Sequence, residues 1–385
     1  MPNAQLIAYY MKKKKIAFLS DGSPLDKALW SGTMYKMYES LLLKGYEVEH
    51  IPAIQFTEKE KQIFETIAKT HEKVLNRTFN RHQFYLKARI ASARMQNILK
   101  NKEFDVLFSA CQINEIAFLK IKQPIVFVND ILLEQHIGYY PYYMGLGWYS
   151  KKIMVHLEKK ALQNCAAIIL PSEWSVERAK EIYHLPSEKV HLLRFGPNIE
   201  VPEKIQLKDY SGEIKFLFLG VDWQRKGGGI ALKATEILRQ NGFPVKLLVV
   251  GCVPPEQSDA LEVIPFLNKN KTEDYERLKQ LLSQSHLLFL PTRAECYGIV
   301  YCEASAYGLP SIATATGGVT SIVKDGVNGF ALPENAGAEE YAEKIAEILS
   351  PEQLSVLSES SRKRYEEHLT WKKWGGEIDD ILKTI

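Results

Sequence analysis

Two glutamates, Glu295 and Glu303, stand eight positions apart in Pro291-Thr-Arg-Ala-Glu-Cys-Tyr-Gly-Ile-Val-Tyr-Cys-Glu-Ala-Ser-Ala-Tyr-Gly-Leu-Pro310, between an apolar run and a helical stretch. If a strand ends at Pro291 and a helix begins near Gly298, Glu295 occupies the connecting loop. Glu303 then lies five residues into the helix, roughly 7–8 Å along its axis from the N–H groups at its start. The backbone N–H groups of Tyr297, Gly298 and Ile299 would meet phosphate or sugar oxygens, and each carboxylate would accept hydrogen bonds from separate hydroxyls. Such an arrangement suits a long anionic ligand, since a phosphate alone does not call for two acids. Two other readings stay open. Both acids could be solvated and favoured by the helix dipole, or they could be the acid and base of a glycoside hydrolase, whose carboxyls stand about 5–9.5 Å apart.

A second constellation is Phe216-Leu-Phe-Leu-Gly220-Val-Asp-Trp-Gln-Arg225-Lys226-Gly-Gly-Gly229, a strand, a loop and the start of a helix. Two adjacent cations, glycines and a helix N-terminus make a diphosphate site: Arg225 can fork to two oxygens and Lys226 supplies a point charge. The alternative is a solvated Arg-Lys pair. Neither G-x-G-x-x-G nor G-x-x-x-x-G-K-[ST] spacing is present, so a dinucleotide fingerprint and a P-loop are both unsupported. A third loop, 20–33, follows the first apolar run and contains Ser31-Gly32-Thr33 before a helix. Gly32 and Thr33 would let backbone approach an acceptor at a helix start, or form a plain strand-to-helix turn.

The elements that must hold these loops alternate short apolar runs with helical periods, the pattern of parallel sheets covered by helices on both faces. Strands are predicted at 16–19, 48–51, 105–109, 125–129, 167–170 and 190–193, and a second series at 215–220, 245–251, 261–266, 287–291 and 311–314. Residues 196–212, with Gly-Pro-Asn and Val-Pro-Glu, read as a linker. Two doubly wound α/β domains in tandem follow. Ligands of open parallel sheets sit at the carboxyl ends of strands, so two such domains facing each other would enclose a cleft.

The Glu-x7-Glu segment, the Arg225-Lys226-Gly loop, Thr316-Gly317-Gly318 and Asp325-Gly-Val-Asn-Gly329 occur in that order. Together they resemble the retaining glycosyltransferases of family 4, the group 1 glycosyltransferases of GT-B fold. The resemblance is specific over about residues 190–335 and looser over the first half. It implies two Rossmann-like doubly wound domains: an acceptor domain at 1–200, a nucleotide-sugar donor domain at 201–367, and a C-terminal helix at 368–385 packing back on the first. It also implies sugar transfer from a nucleotide-sugar donor, with Glu303 on the ribose, Glu295 on the transferred sugar, and Arg225 and Lys226 neutralising the diphosphate as charge develops on the leaving oxygen. Three positions depart from the family: Val221 follows Gly220 where an Arg is usual, Ser321 replaces a Glu, and Asp130 stands where members commonly end a strand with a His. Asp130 would accept a sugar-hydroxyl hydrogen bond or stabilise an oxocarbenium-like transition state; a turn-capping Asp is the alternative.

The resemblance points to a hexosyltransferase of polysaccharide assembly, with UDP-glucose as leading donor and a saccharide or lipid-linked saccharide as acceptor. No cofactor is expected and no metal, because no Asp-x-Asp stands in a suitable loop and the cations would replace a divalent ion. Tyr142 and Trp148, in the aromatic segment 138–150, could stack on an acceptor sugar, insert at a membrane interface or belong to a packed interdomain surface. Lys69, Lys73, Arg77 and Arg81 recur every four residues on a predicted helix, a stripe for anionic lipid or an anionic acceptor, or a solvated face. Trp371, Trp374, Ile378, Ile381 and Leu382 mark an amphipathic C-terminal helix.

Composition agrees with a folded, water-soluble chain: 385 residues, 46% apolar and 25% charged. The net charge of +3 gives no sign of a nucleic-acid binder, yet the first 200 residues carry 28 Lys/Arg against 20 Asp/Glu and the remainder 21 against 26. Five scattered cysteines without a Cys-x-x-Cys pair argue for a reducing cytosol. No run approaches the roughly 18 apolar residues of a membrane span, so a cytoplasmic, or membrane-peripheral, protein is expected. Met11-Lys-Lys-Lys-Lys15 leads into an apolar strand, which makes residues 1–10 dispensable on this reading. The rival functions are a non-catalytic nucleotide-sugar sensor or scaffold, and a GT-B phosphorylase carrying lysine-bound pyridoxal phosphate.

Overall fold

The apolar runs become strands because their β-branched and aromatic residues are buried on both faces, as parallel sheets require. The computed structural model describes residues 13–206 and 208–385; residues 1–10, expected to be dispensable, lie outside the described residues. One six-stranded sheet contains β1 (Lys15–Ser20), β2 (Glu47–Pro52), β3 (Val106–Ala110), β4 (Ile125–Val128), β5 (Ala167–Leu170) and β6 (Val190–Leu192), in the order β2-β1-β3-β4-β5-β6. The other contains β7 (Ile214–Leu219), β8 (Val245–Val250), β9 (Leu261–Ile264), β10 (Leu287–Leu290), β11 (Ser311–Thr314) and β12 (Gly329–Leu332), in the order β12-β11-β10-β7-β8-β9. The pairings are parallel, and β3, β4, β5, β10 and β11 are buried along their whole length.

Each sheet belongs to its own compact unit. The first unit is the described part of Met1–Leu170 with Ser175–Leu193 and Gly375–Ile385; the second is Pro171–Trp174 with Arg194–Trp374. Strand order reverses between β1 and β3 in the first sheet and between β7 and β10 in the second. At such a reversal the loops leaving two adjacent strands turn to opposite sides and open a crevice at the carboxyl ends. The crevice of the first unit is therefore built from the loops after β1 and β3, that of the second from the loops after β7 and β10.

Strand β12 was not among the expected strands. Asp325-Gly-Val-Asn-Gly329 builds it: Asp325 Oδ1 accepts the Ala331 N–H at 2.8 Å, buried Asn328 donates to Ser305 Oγ and the Ile322 carbonyl, and Gly329 adopts φ 144°. A Cβ at Gly329 would stand 1.9 Å from the Ser311 carbonyl oxygen, so only glycine lets β12 reach β11. The C-terminal helix runs Trp371–Thr384, burying Trp374, Ile378 and Leu382. Within the first unit its Asp379 accepts the Tyr46 hydroxyl at 2.6 Å, and Lys14 Nζ donates to the Leu382 carbonyl at 2.6 Å.

Glu158, fully buried in the helix Trp148–Gln163, holds the turn that follows β4. Its carboxylate accepts the N–H groups of Leu133 at 2.7 Å and Glu134 at 3.2 Å, together with the Tyr183 hydroxyl. These bonds favour the anion, but burial outweighs them and pushes the carboxyl up to about 7 from an ordinary 4.5. A carboxyl raised on folding binds more protons in the folded state, so its contribution to stability is greatest below pH 4.5 and declines as pH rises to about 7. Denaturant midpoints measured across this window should fall with rising pH in the wild type, and Glu158→Gln should flatten that part of the profile.

Candidate functional site

In the second unit, the loop leaving β7 lies directly on the end of β10. Gly227 has φ 76°, and a Cβ there would stand 2.0 Å from the Pro291 carbonyl oxygen; one at Gly228 would enter the Trp223 ring at 2.1 Å. This approach sets up a backbone clasp. The Arg225 carbonyl accepts the Arg293 N–H at 2.7 Å and the Thr292 hydroxyl at 3.2 Å, while Arg225 Nη1 donates to the Ala294 carbonyl at 2.9 Å. The neighbouring Lys226 ammonium pairs with the Glu295 carboxylate, both side chains only 11–12% exposed. Glu295 is also held through its carbonyl, which accepts the Gly318 N–H at 3.3 Å, with a Cβ at Gly318 excluded by the Cys296 carbonyl at 2.3 Å.

The β10 loop ends at Gly298, left-handed with φ 92°, and the helix Ile299–Ala306 begins. Among the described residues, the N–H groups of Gly298 and Ile299 find no hydrogen-bond acceptor. Glu303, the fifth helical residue, is 2% exposed and its Oε1 accepts from Lys269 Nζ at 2.7 Å. Lys269 comes from the loop between β9 and the helix Thr272–Gln284. The loops after β7 and β10, with the helix that follows β10, thus carry Arg225, Lys226, Glu295, Gly298, Ile299 and Glu303, and the loop after β9 adds Lys269 beside Glu303.

In the first unit, three loops converge on Asp130. Trp30 (φ 48°, ψ 42°), Ser31 (φ 56°) and Gly32 (φ 96°) form a left-handed run before the helix Thr33–Leu43. The Trp30 indole N–H donates to Asp130 Oδ2 at 3.2 Å. From the β4 end, the Asp130 N–H donates to Asn129 Oδ1 at 3.0 Å; from the β3 loop, left-handed Cys111 (φ 65°) donates its thiol to the same oxygen at 3.2 Å. Ser175 Oγ donates to the Asp130 carbonyl at 3.3 Å. Gly32 and Thr33 are buried at the start of their helix.

Residues 202–367 match the family model described as glycosyl transferases group 1. This stretch is similar to the group 1 glycosyltransferases. Among curated proteins, the chain is similar to the capsular polysaccharide biosynthesis glycosyltransferase CapM of Staphylococcus aureus, 26% identical over 61% of this chain and 66% of that protein. It is also similar to the D-inositol 3-phosphate glycosyltransferase of Rhodococcus erythropolis, 27% identical over 47% of this chain, though the chain spans only 43% of that protein's length. Among solved structures, HepE of Anabaena, determined with UDP and glucose, superimposes with a TM-score of 0.64 at 15% identity, covering 97% of this chain and 100% of that one. The fold is of GT-B type.

Within the matched stretch, Tyr297 offers only its main chain to the crevice. Its side chain is buried, its hydroxyl donates to the Phe195 carbonyl at 3.0 Å, and burial raises the phenol far above its ordinary value. Ser321, standing in place of the family's Glu, is likewise internal: its hydroxyl accepts the Glu173 N–H at 3.1 Å and its carbonyl accepts from Arg194 Nε and Arg364 Nη2, each at 3.2 Å. Lys269 escaped the sequence reading. A lysine in a loop after a strand of the same sheet was the available signal, but Lys271, Arg277 and Lys279 stand near it in sequence and only the folded loop selects one.

One first-unit expectation changes. The helix carrying Lys69 and Lys73 is Glu58–Leu75, ended by left-handed Asn76, so Arg77 and Arg81 do not continue a helical stripe. Arg81 turns back instead, pairing with Glu65 at 2.9 Å and Glu72 at 2.7 Å. Tyr142 and Trp148 are exposed and lie outside the hydrogen-bonded set around Asp130; Tyr142 packs on His82 and Tyr143, Trp148 on Tyr149.

The clasp is testable through its glycines. Gly227→Ala should cost about 2–4 kcal/mol of unfolding free energy, from left-handed strain plus the clash with Pro291. Gly229→Ala, with open space at its Cβ, should be neutral or stabilising by up to about 1 kcal/mol. Denaturant unfolding of the two variants side by side checks this.

Proposed function

We propose that the chain is a metal-independent, retaining glycosyltransferase that moves a hexosyl group from a nucleotide-sugar donor to a saccharide or lipid-linked saccharide acceptor in glycan assembly, with UDP-glucose as the first donor to test. The observation that carries this reading is the pair of lysine–glutamate contacts, Lys226–Glu295 and Lys269–Glu303, at the strand-order reversal of the stretch similar to group 1 glycosyltransferases. Each contact is a preformed site in which the ligand exchanges for a protein partner. A diphosphate competes with Glu295 for Lys226, and the forked Arg225 guanidinium stands on the same loop. A ribose hydroxyl competes with Lys269 for the buried Glu303 carboxylate. The N–H groups of Gly298 and Ile299 add fixed dipoles toward an anion.

Charge grows on the leaving phosphate oxygen as the donor C1–O bond breaks, and Lys226 and Arg225 stabilise it in place of a divalent ion. Attack on the same face sets the acceptor hydroxyl beside that oxygen, which takes its proton as the new C1–O bond forms. Asp130, oriented by Trp30 and Asn129, stabilises positive charge at the sugar ring or accepts a sugar hydroxyl. The UDP and glucose bound by HepE and the capsule role named for CapM support the donor and acceptor classes.

Thermal-shift measurements across nucleotide sugars should pick out one donor, since a ligand that binds only the folded state raises its stability. Glu303→Ala and Lys226→Ala should weaken that donor about 10- to 100-fold, the worth of one charge-assisted contact. Asp130→Ala should lower turnover while leaving donor affinity within about twofold. Turnover should survive EDTA. A chain that binds donor but shows neither transfer nor slow donor hydrolysis would be the sensor or scaffold instead.

A further inference from the structure

The aromatic segment 138–150 and the basic helix, far apart in sequence, form one surface of the first unit. Thr78 N–H donates to the Gly145 carbonyl at 3.3 Å and Gly147 N–H to the Thr78 carbonyl at 3.0 Å, which clips the two segments together. His71 then stacks on Tyr149, with ring centroids 5.6 Å apart. Between them runs an open apolar groove of about 670 Å³, walled by Ile67, His71, Val74 and Leu75 on one side and Trp148 and Tyr149 on the other. Its rim faces solvent: Val74 is 72% exposed and Trp148 69%. A contiguous apolar patch of this kind on a soluble unit marks a contact surface.

The charges around it select the partner. Lys73 and Arg77 on one side and Lys151 and Lys152 on the other are all exposed, while Lys69 turns to Glu65 at 3.5 Å. Glu65 and Glu72, the acids of this helix beyond its first turn, are bound by Arg81, whose guanidinium keeps both carboxyls below their ordinary values. Cations in excess therefore ring an apolar centre crowned by an indole. Long lysine and arginine stems can lie along such a centre while their heads reach anionic groups. Among the described residues no helix is long and apolar enough to cross a membrane, so contact through this face is interfacial.

We propose that this face docks on the anionic surface of a lipid bilayer, with Trp148, Tyr149, Val74 and Leu75 entering the headgroup region and the four surrounding cations, Lys73, Arg77, Lys151 and Lys152, meeting lipid phosphates. The docking is independent of sugar transfer and needs no substrate. Flotation of the full chain with phosphatidylcholine vesicles, alone or with about one third phosphatidylglycerol, should show binding at least about tenfold stronger to the anionic vesicles and weaker as salt is raised. The Lys73→Ala/Arg77→Ala double variant should lose up to about thirtyfold. Trp148→Ser should lose about tenfold with its unfolding midpoint unchanged, because the side chain is exposed. Equal flotation of wild type and variants, absence of flotation, or no preference for anionic lipid would overturn the proposal. So would concentration-dependent self-association that Trp148→Ser abolishes, which would make a second copy of the chain the occupant.

Discussion

The close approach of Gly227 to the Pro291 carbonyl is the constraint from which the candidate site of the second unit follows. Two strands adjacent in the sheet but separated by some seventy residues send their loops to opposite sides. Ordinary side chains would hold those loops apart. With no Cβ at Gly227, the backbone of the Arg225-Lys226 loop rests on β10 and the Arg225 carbonyl becomes an acceptor for Arg293 and Thr292. Lys226 is then delivered to Glu295 by main-chain geometry, and its four-carbon stem has little searching left to do. Preorganisation of this kind is what lets a cation act on a developing charge without reorganising first.

The two lysine–glutamate pairs are weak as stabilisers and informative as sites. A nearly buried pair recovers in mutual attraction about what its charges lose in hydration, whereas removing one partner strands the other and costs about 3–5 kcal/mol. Such pairs are neutral in net charge yet present a cation and an anion within one contact, ready to separate toward ligand groups of opposite sign. A half of the chain with more acids than bases still gathers Arg225, Lys226 and Lys269 near the ends of its strands, so the sum over the half does not describe the local charge. Total charge belongs to solubility and long-range steering.

Much of the architecture was legible in the sequence because parallel strands buried on both faces are written as continuous apolar runs. Phe216–Leu219 and Leu287–Leu290 leave no periodicity to interpret, only length and flanking turns. Strand β12 lacked that signature: Phe330 and Ala331 are only partly buried, and the decisive residue is a glycine whose need appears only beside Ser311. The end of the basic helix at Asn76 was equally hidden, since nothing polar or apolar changes there and a single left-handed residue redirects the chain. At the site, residues close in sequence were found by spacing. Lys269 was not, because its pairing with Glu303 is made by tertiary contact alone.

Trp30 shows what a static pattern of residue types cannot reveal. A left-handed conformation costs a side chain about 1–2 kcal/mol, and here Trp30 and Ser31 both adopt it. A β-to-α turn has many cheaper solutions, so the surrounding structure must over-determine this one. The compensating bond is from the indole N–H to the Asp130 carboxylate, and a hydrogen bond to a charged acceptor returns about 1.5–3 kcal/mol. Cys111, also left-handed, reaches the same strand end through Asn129, whose side chain in turn holds the Asp130 N–H. Strain in two loops is thus spent on one carboxylate, its Oδ2 held by the indole and its backbone held by Asn129. The strained loops at the carboxyl end of this parallel sheet thereby fix the direction of one carboxylate, a constraint that neither loop's own sequence would impose.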